Sequence, residues 1–266
     1  MIRAIKSNVN VASNPVLASN ALRVCFLLRT VPCAIFALVL TIAATAIAEE
    51  PKVKHGDNPK DDTPNVKTLF DGKSLKNWRI AKINDFESHG KVYVKDGAVV
   101  LEKGKPASGI VYTGKPPRMN YQLSLDAKRI AGSDFFCGLT FPVNKSYCTL
   151  IIGGWGGGST GLSNVDEASA IDNETTGYTE FKQNQWYNIR LRVTEKKIEA
   201  WIDKEQIVEL DSGDRKFSIW WEQEPARPLG IATWNTTAAL RNIRLQELAA
   251  PVKALSSQTD EKQEED

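Results

Sequence analysis

The sequence predicts an all-β chain in which two antiparallel sheets stack face to face as a β-sandwich or jelly roll. Three features carry that expectation. Short apolar and aromatic runs recur between turn-forming Gly, Pro, Asn and Asp, and the stretch 187–202 alternates with a period of two. No run in the central region has the length and 3.6-residue apolar period of a helix. Of the 266 residues, 42% are hydrophobic and 25% charged, which excludes a wholly disordered or collagen-like protein and leaves room for one sizeable core.

Residues 1–48 read as a secretory signal. The apolar run TVPCAIFALVLTIAATAIA at 30–48 follows Arg23 and Arg29 and ends with Ala46 and Ala48, an A-x-A cleavage site ahead of Glu49 and Glu50. An uncleaved anchor is the competing reading, because about 19 apolar residues just span a bilayer. Cleavage near Ala48 predicts a secreted or periplasmic protein with no stable membrane insertion. The segment holds four basic residues (Arg3, Lys6, Arg23, Arg29) and no acids, so its loss changes 34 basic against 32 acidic residues to 30 against 32, and the net charge from +2 to −2. A chain so near neutrality has no bulk electrostatic reason to bind nucleic acid. Residues 49–65, rich in Pro, Lys and Asp, read as a flexible linker, 66–248 as the β-sandwich domain, and 249–266, ending in TDEKQEED, as a disordered acidic tail.

Within the domain, KVYV, the turn Asp96-Gly97 and AVVLE form a short hairpin. GIVYTG at 109–114 and YQLSLDAKRI at 121–130 follow as strands. FFCGLTF at 135–141 and SYCTLIIGGW at 146–155 pair across a Pro-Val-Asn-Lys connection. The clearest period puts Tyr187, Ile189, Leu191 and Val193 on one face and Asn188, Arg190, Arg192 and Thr194 on the other. After the turn at 195–197, Ile198, Ala200 and Ile202 repeat the apolar face and Trp201 falls on the polar one. The last strand, AALRNIRLQEL at 238–248, alternates only approximately. The glycine-rich stretch 153–180 is weakly patterned and reads as a long loop. It lacks the Gly-Lys-Ser/Thr ending of a phosphate-binding loop.

TLFDGKSLKNW at 68–78 resembles the opening of the 3-keto-disaccharide hydrolase family. The resemblance continues through QWYNIRLRVTEKKIEAWID at 185–203 and LGIATWNTTAALRNIRLQEL at 229–248. It implies a concanavalin A-like lectin/glucanase jelly roll with a carbohydrate-sized cleft, and cleavage of glycosides whose ring carries a 3-keto group. That keto group acidifies the neighbouring C2 hydrogen, so a base removes it and the glycosidic oxygen leaves. Against the family pattern, Tyr147 is kept, Cys148 stands in the Glu position, Gly153 stands in the Asp position, and Ala232-Thr233-Trp234-Asn235 replaces an Asp-His pair. The non-catalytic alternative is a carbohydrate-binding or interaction domain.

Candidate catalytic acids are Asp134, before Phe135, and Asp166 and Glu167 in the 153–180 stretch, with Asp172 and Glu174 beside them. Arg192 is the candidate for stabilising oxygen charge. Sugars are recognised by aromatic faces and polar edges, which makes Trp155, Arg190, Trp201 and Trp234 candidate ligand-binding residues for a carbohydrate partner, Trp201 foremost. Trp78 and Trp186 read as core, and Asp71 as a turn residue accepting main-chain hydrogen bonds. Cys137 and Cys148, 11 positions apart, fit neighbouring strands of a hairpin, and export permits a disulfide between them; two buried free thiols are the other reading. With His55 and His89 remote from both cysteines, the sequence offers no zinc pattern and names no certain cofactor. A divalent cation is the one the chemistry would accept.

Overall fold

A computed structural model of the chain describes residues 65–249. The expected signal segment 1–48, nearly all of the linker and the tail from 250 onward lie outside the described residues. Among the described residues no helix is long and apolar enough to cross a membrane.

The strands are, in chain order, β1 Val66–Thr68, β2 Trp78–Ile80, β3 Val92–Lys95, β4 Ala98–Leu101, β5 Ala107–Tyr112, β6 Tyr121–Gly132, β7 Cys137–Val143 and β8 Ser146–Gly154. They continue as β9 Ser159–Ser163, β10 Gly177–Tyr178, β11 Tyr187–Val193, β12 Lys197–Ile202, β13 Glu205–Asp211, β14 Gly230–Trp234 and β15 Thr236–Glu247. An eight-stranded antiparallel sheet runs β13-β12-β11-β6-β15-β4-β3, with β1 on the far part of β15. A seven-stranded one runs β10-β9-β8-β7-β14-β5-β2. This is the predicted two-sheet β-sandwich, a concanavalin A-like jelly roll.

The period-two reading of 187–202 holds: Tyr187, Ile189, Leu191, Val193, Ile198, Ala200 and Ile202 are buried, and Arg190 pairs with Trp201 on the opposite face. On β6, Tyr121, Leu123, Leu125 and Ala127 point inward, and each aliphatic or aromatic side chain buried this way contributes about 1.5–3 kcal/mol. The Asp96-Gly97 turn has both residues at positive φ, 51° and 74°, the two-residue hairpin geometry that matches strand twist.

Three departures have physical reasons. The alternation of the last strand breaks because β15 carries a bulge between Arg241 and Arg244, with Asn242 at φ 54°. Leu240 and Ile243, three apart, therefore both face the core. Pro142 and Val143 belong to β7, and the connection to β8 is only Asn144-Lys145. Proline is tolerated there because β14 pairs with β7 no further than Thr140. The 153–180 stretch is not one loop, since it contains the end of β8, β9 and β10.

The expected Cys137–Cys148 disulfide is corrected. Both cysteines are free and fully buried. In the β7–β8 ladder Cys137 faces Ile152 while Cys148 faces Phe141, a four-residue offset of about 13 Å along the strands, beyond the reach of a bridge. Burial pushes both thiols up to about 12, so neither is a ready nucleophile.

Candidate functional site

The inner strands of the seven-stranded sheet are buried on both faces. Ile110, Leu139, Phe141, Leu150, Ile152 and Ile231 point into the sandwich. Ala107, Val111, Ile151 and Ala232 point out and meet Phe86 and Phe135 in a second apolar cluster. Because many outward positions are small, with Gly109 and Gly138 among Ala107, Thr140, Thr149 and Ala232, that face is hollowed. Two 3-10 turns, Asn84–Phe86 and Trp221–Ala226, touch one another and lie against β5 and, for the second, β14.

The hollow between these covers is a pocket of about 300 Å³ lined by Asp134, Phe135, Thr149, Ile151, Trp155, Ser163, Trp220, Glu222, Gln223 and Trp234. Trp155 and Trp220 are exposed at its margin, as is neighbouring Trp221. Trp234 stacks obliquely on Phe135, with ring centroids 6.2 Å apart. Sequence reasoning placed Asp134, Trp155 and Trp234 as candidates, and the fold brings these three together.

Asp134 sits in the β6–β7 connection and is pinned by main chain. Its N–H donates to Thr236 Oγ1 at 3.1 Å, the Thr236 hydroxyl donates back to the Asp134 carbonyl at 3.0 Å, and Phe135 N–H donates to Asp134 Oδ1 at 2.7 Å. Burial raises the Asp134 pKa above its ordinary value, against the main-chain N–H groups of Phe135 and Trp155 and the charge of Arg129. Arg129 ends the inward face of β6, only 5% exposed, and donates to the carbonyls of Gly153 at 3.1 Å and Gly157 at 2.6 Å while lying over the Phe136 ring. It thereby fixes the end of β8 and the turn that presents Trp155.

Asp166 and Glu167 do not line the pocket. Asp166 accepts Lys216 N–H at 2.9 Å and pairs with Arg215, and these bonds hold its carboxyl below the usual carboxylate range. Its work is to staple the 215–217 segment to the turn after β9. Asn164 and Ser218 reinforce the staple through main-chain hydrogen bonds of 2.7 and 3.3 Å, which carry the chain on to Trp220. Glu174 is tied to Arg215 as well, Asp172 accepts the Ser169 hydroxyl at 2.7 Å, and Glu167 is exposed.

Arg190, Arg192 and Trp201 gather on the outer face of the other, eight-stranded sheet. Arg190 and Arg192 lie 4.2 and 5.3 Å from the Trp201 ring, and Arg192 also donates to Gln122 Oε1 and pairs with Glu199. Trp186 lies on that same face under Lys128 and Arg241, rather than in the core, whereas Trp78 is buried with its Nε1 donating to Leu69 O at 3.0 Å. Asp71 accepts the N–H groups of Lys73 and Ser74, as its turn role requires. Trp201→Ala is therefore expected to leave binding of a ligand in this pocket unchanged, and Trp155→Ala to weaken it about tenfold, the loss of one aromatic face. Calorimetric titration of both folded variants checks this, and the reverse order would move the site to the other sheet.

Trp220, Glu222 and Gln223 were missed by sequence reasoning. They lie in SIWWEQEPARP, which has neither period; the signal available was the adjacent Trp220-Trp221 followed by acids. Cys148, which the resemblance sets in a Glu position, lies in the core with Leu150 and Ile152 and does not line the pocket. Among the described residues no group of three or more His, Cys, Asp or Glu side chains is arranged to hold a metal ion.

The family described as 3-keto-alpha-glucoside-1,2-lyase-like domain matches residues 65–246. Among solved structures, the chain is similar to domain 4 of AbnA, an extracellular arabinanase from Geobacillus stearothermophilus in complex with arabinotriose. There the identity is 16%, the TM-score 0.47, and the match covers 70% of this chain and 92% of that one. It is similar to the carbohydrate binding module CBM66 from Bacillus subtilis at 11% identity and TM-score 0.42, covering 64% and 96%. It is also similar to a beta-1,3-glucanase from Mycobacterium marinum at 10% identity and TM-score 0.43, covering 69% and 98%. Comparison with curated proteins finds no match.

Proposed function

The chain belongs to the family of 3-keto-alpha-glucoside-1,2-lyase-like domains, and from that premise we propose that it cleaves a glycoside whose ring carries a 3-keto group, in the pocket beside Asp134. The observation that supports this most is a half-buried carboxylate of raised pKa in a cavity walled by Trp155, Trp220 and Trp234. A base of raised pKa is a better proton acceptor near neutrality than an ordinary aspartate, and the fixed Oδ1 contact holds it in one orientation.

In the proposed reaction Asp134 takes the C2 proton, whose bond electrons pass into the enolate of the neighbouring ketone. The enolate collapses to a C1–C2 double bond and expels the glycosidic oxygen, which leaves as an alcohol after taking up a proton. Water then adds to C1, and a proton returns to C2, completing net hydrolysis; release before that step makes the protein a lyase. No step is assigned to a metal ion. Folded protein offered a panel of authentic 3-keto glycosides, with and without added divalent cations, is expected to release the free sugar. No release from any of them ends the reading.

A second reading is a carbohydrate-binding domain without turnover. It is favoured by the short supply of acids in the pocket, where Asp134 and Glu222 are the carboxylates present. Binding of the same glycosides without cleavage would select it.

The proposal places the protein outside the cytoplasm, secreted or periplasmic, on the signal pattern of residues 23–50. The intact mass of the protein from its producing cells is expected to correspond to a chain beginning at Glu49. A mass that retains residues 30–48 would indicate the uncleaved anchor instead.

A further inference from the structure

Glu222 and Gln223 open the 3-10 turn Trp221–Ala226 that covers the pocket. Gln223 is 5% exposed, and its N–H is already spent on the Trp220 carbonyl at 2.9 Å. Both residues line the pocket, and the Gln223 Oε1 and Glu222 Oε2 are buried with no hydrogen-bond partner among the described residues. A buried acceptor without a donor is destabilising, more so for a carboxylate, so two such oxygens on consecutive residues are unfavourable unless a ligand supplies the protons. Both are acceptors, so the ligand must bring donors. Trp220, next in the chain, lines the same pocket and offers a ring face to C–H groups. Hydroxyl donors beside C–H patches are the chemistry of a sugar ring.

We propose that Glu222 and Gln223 select the ligand, each accepting a hydrogen bond from a hydroxyl group of one sugar ring bound against Trp220. This rests on the carbohydrate reading of the pocket and adds to it the groups that discriminate between sugars. A site built to accept a hydroxyl proton rejects the analogue lacking that hydroxyl, because the acceptor is again left unpaired. Replacing Gln223 by Leu removes the unpaired oxygen at similar volume, so the variant folds while losing the recognition.

The test is calorimetric binding of methyl 3-keto-α-glucoside and its 2-, 4- and 6-deoxy analogues, in an Asp134→Asn chain so that the probe is not consumed. Gln223→Leu is expected to weaken the parent glycoside about tenfold, the loss of one hydrogen bond. One deoxy analogue is expected to lose about tenfold with Gln223 present and less than twofold with Leu in its place. Glu222→Gln provides the second variant, with the same coupling to a different hydroxyl. Equal losses on every analogue in parent and variants overturn the proposal while leaving the carbohydrate pocket standing. So does calcium alone binding to the parent and not to Glu222→Gln, which would make the acceptors cation ligands. Failure of every glycoside to bind the parent overturns the carbohydrate reading itself.

Discussion

Asp134→Asn is expected to lower turnover of a 3-keto glycoside by about 10²–10⁴-fold, the worth of a positioned general base, without lowering the melting temperature at pH 7. The asparagine keeps an Oδ1 for the Phe135 N–H that meets the carboxylate at 2.7 Å, so the β6–β7 connection stays tied. The direction of the stability change follows from proton linkage. Burial raises the folded-state pKa above the ordinary 3.8, so between those two values the folded chain holds a proton that the unfolded chain has released. Stability is lost as pH rises through that window, and the cost is fully present above it. The amide cannot ionise, so the variant is expected to melt at or above the wild type at pH 7, with the advantage shrinking to nothing below pH 3.8. Wild-type turnover falls as pH drops through the raised pKa, because the base must be ionised. Melting curves and rates at several pH values measure all three effects; retained turnover in the folded variant would remove Asp134 from the chemistry.

Gly153→Ala carries the largest stability effect. Gly153 has φ 80°, and a Cβ there would lie 2.4 Å from Arg129 Nη2 and 2.9 Å from the Phe136 ring. The left-handed backbone costs a residue with a Cβ about 1–2 kcal/mol, and forcing the buried guanidinium aside adds about 1–3. The guanidinium cannot move freely, since it satisfies the carbonyls of Gly153 and Gly157 and lies over Phe136. A loss of about 3 kcal/mol lowers the melting temperature by roughly 6–12 °C in a domain of this size. Gly156→Ala is the control. Its φ of 90° is equally left-handed, but a Cβ there meets nothing within 4 Å, so only the backbone cost of about 1–2 kcal/mol applies. Equal melting temperatures for the two variants would show that Arg129 does not brace the end of β8.

Sheet structure was legible where one face is buried and the other wet. Strands β11 and β12 show their register in the sequence because Ile and Leu alternate with Arg and Glu. Strand β9 was illegible because Gly, Ser and Thr supply no period and nearly all of it is buried, and β10 because two residues are too few to show one. The bulge in β15 hid its phase by adding a residue between two inward side chains. At the site, Asp134 was legible as an acid at a strand start. Trp201 was legible as outward-facing, but period-two patterning tells which residues leave the core and not which sheet is hollowed. The hollow depends on small residues from five strands, β5, β14, β7, β8 and β9, and on the 220–223 segment set over them by the Asp166 staple. The β5–β14 pairing crosses more than a hundred positions of chain and the Asp166–Lys216 bond crosses 50, so no local pattern encodes them.

The measurement that tests the central claim most directly is cleavage of a 3-keto disaccharide by the full chain in deuterium oxide, with the released keto sugar analysed for isotope at C2. Removal of the C2 proton followed by water addition predicts one deuterium at C2, appearing about 10²–10⁴-fold more slowly with Asp134→Asn. Cleavage with no deuterium at C2, or recovery of the intact disaccharide, would contradict it.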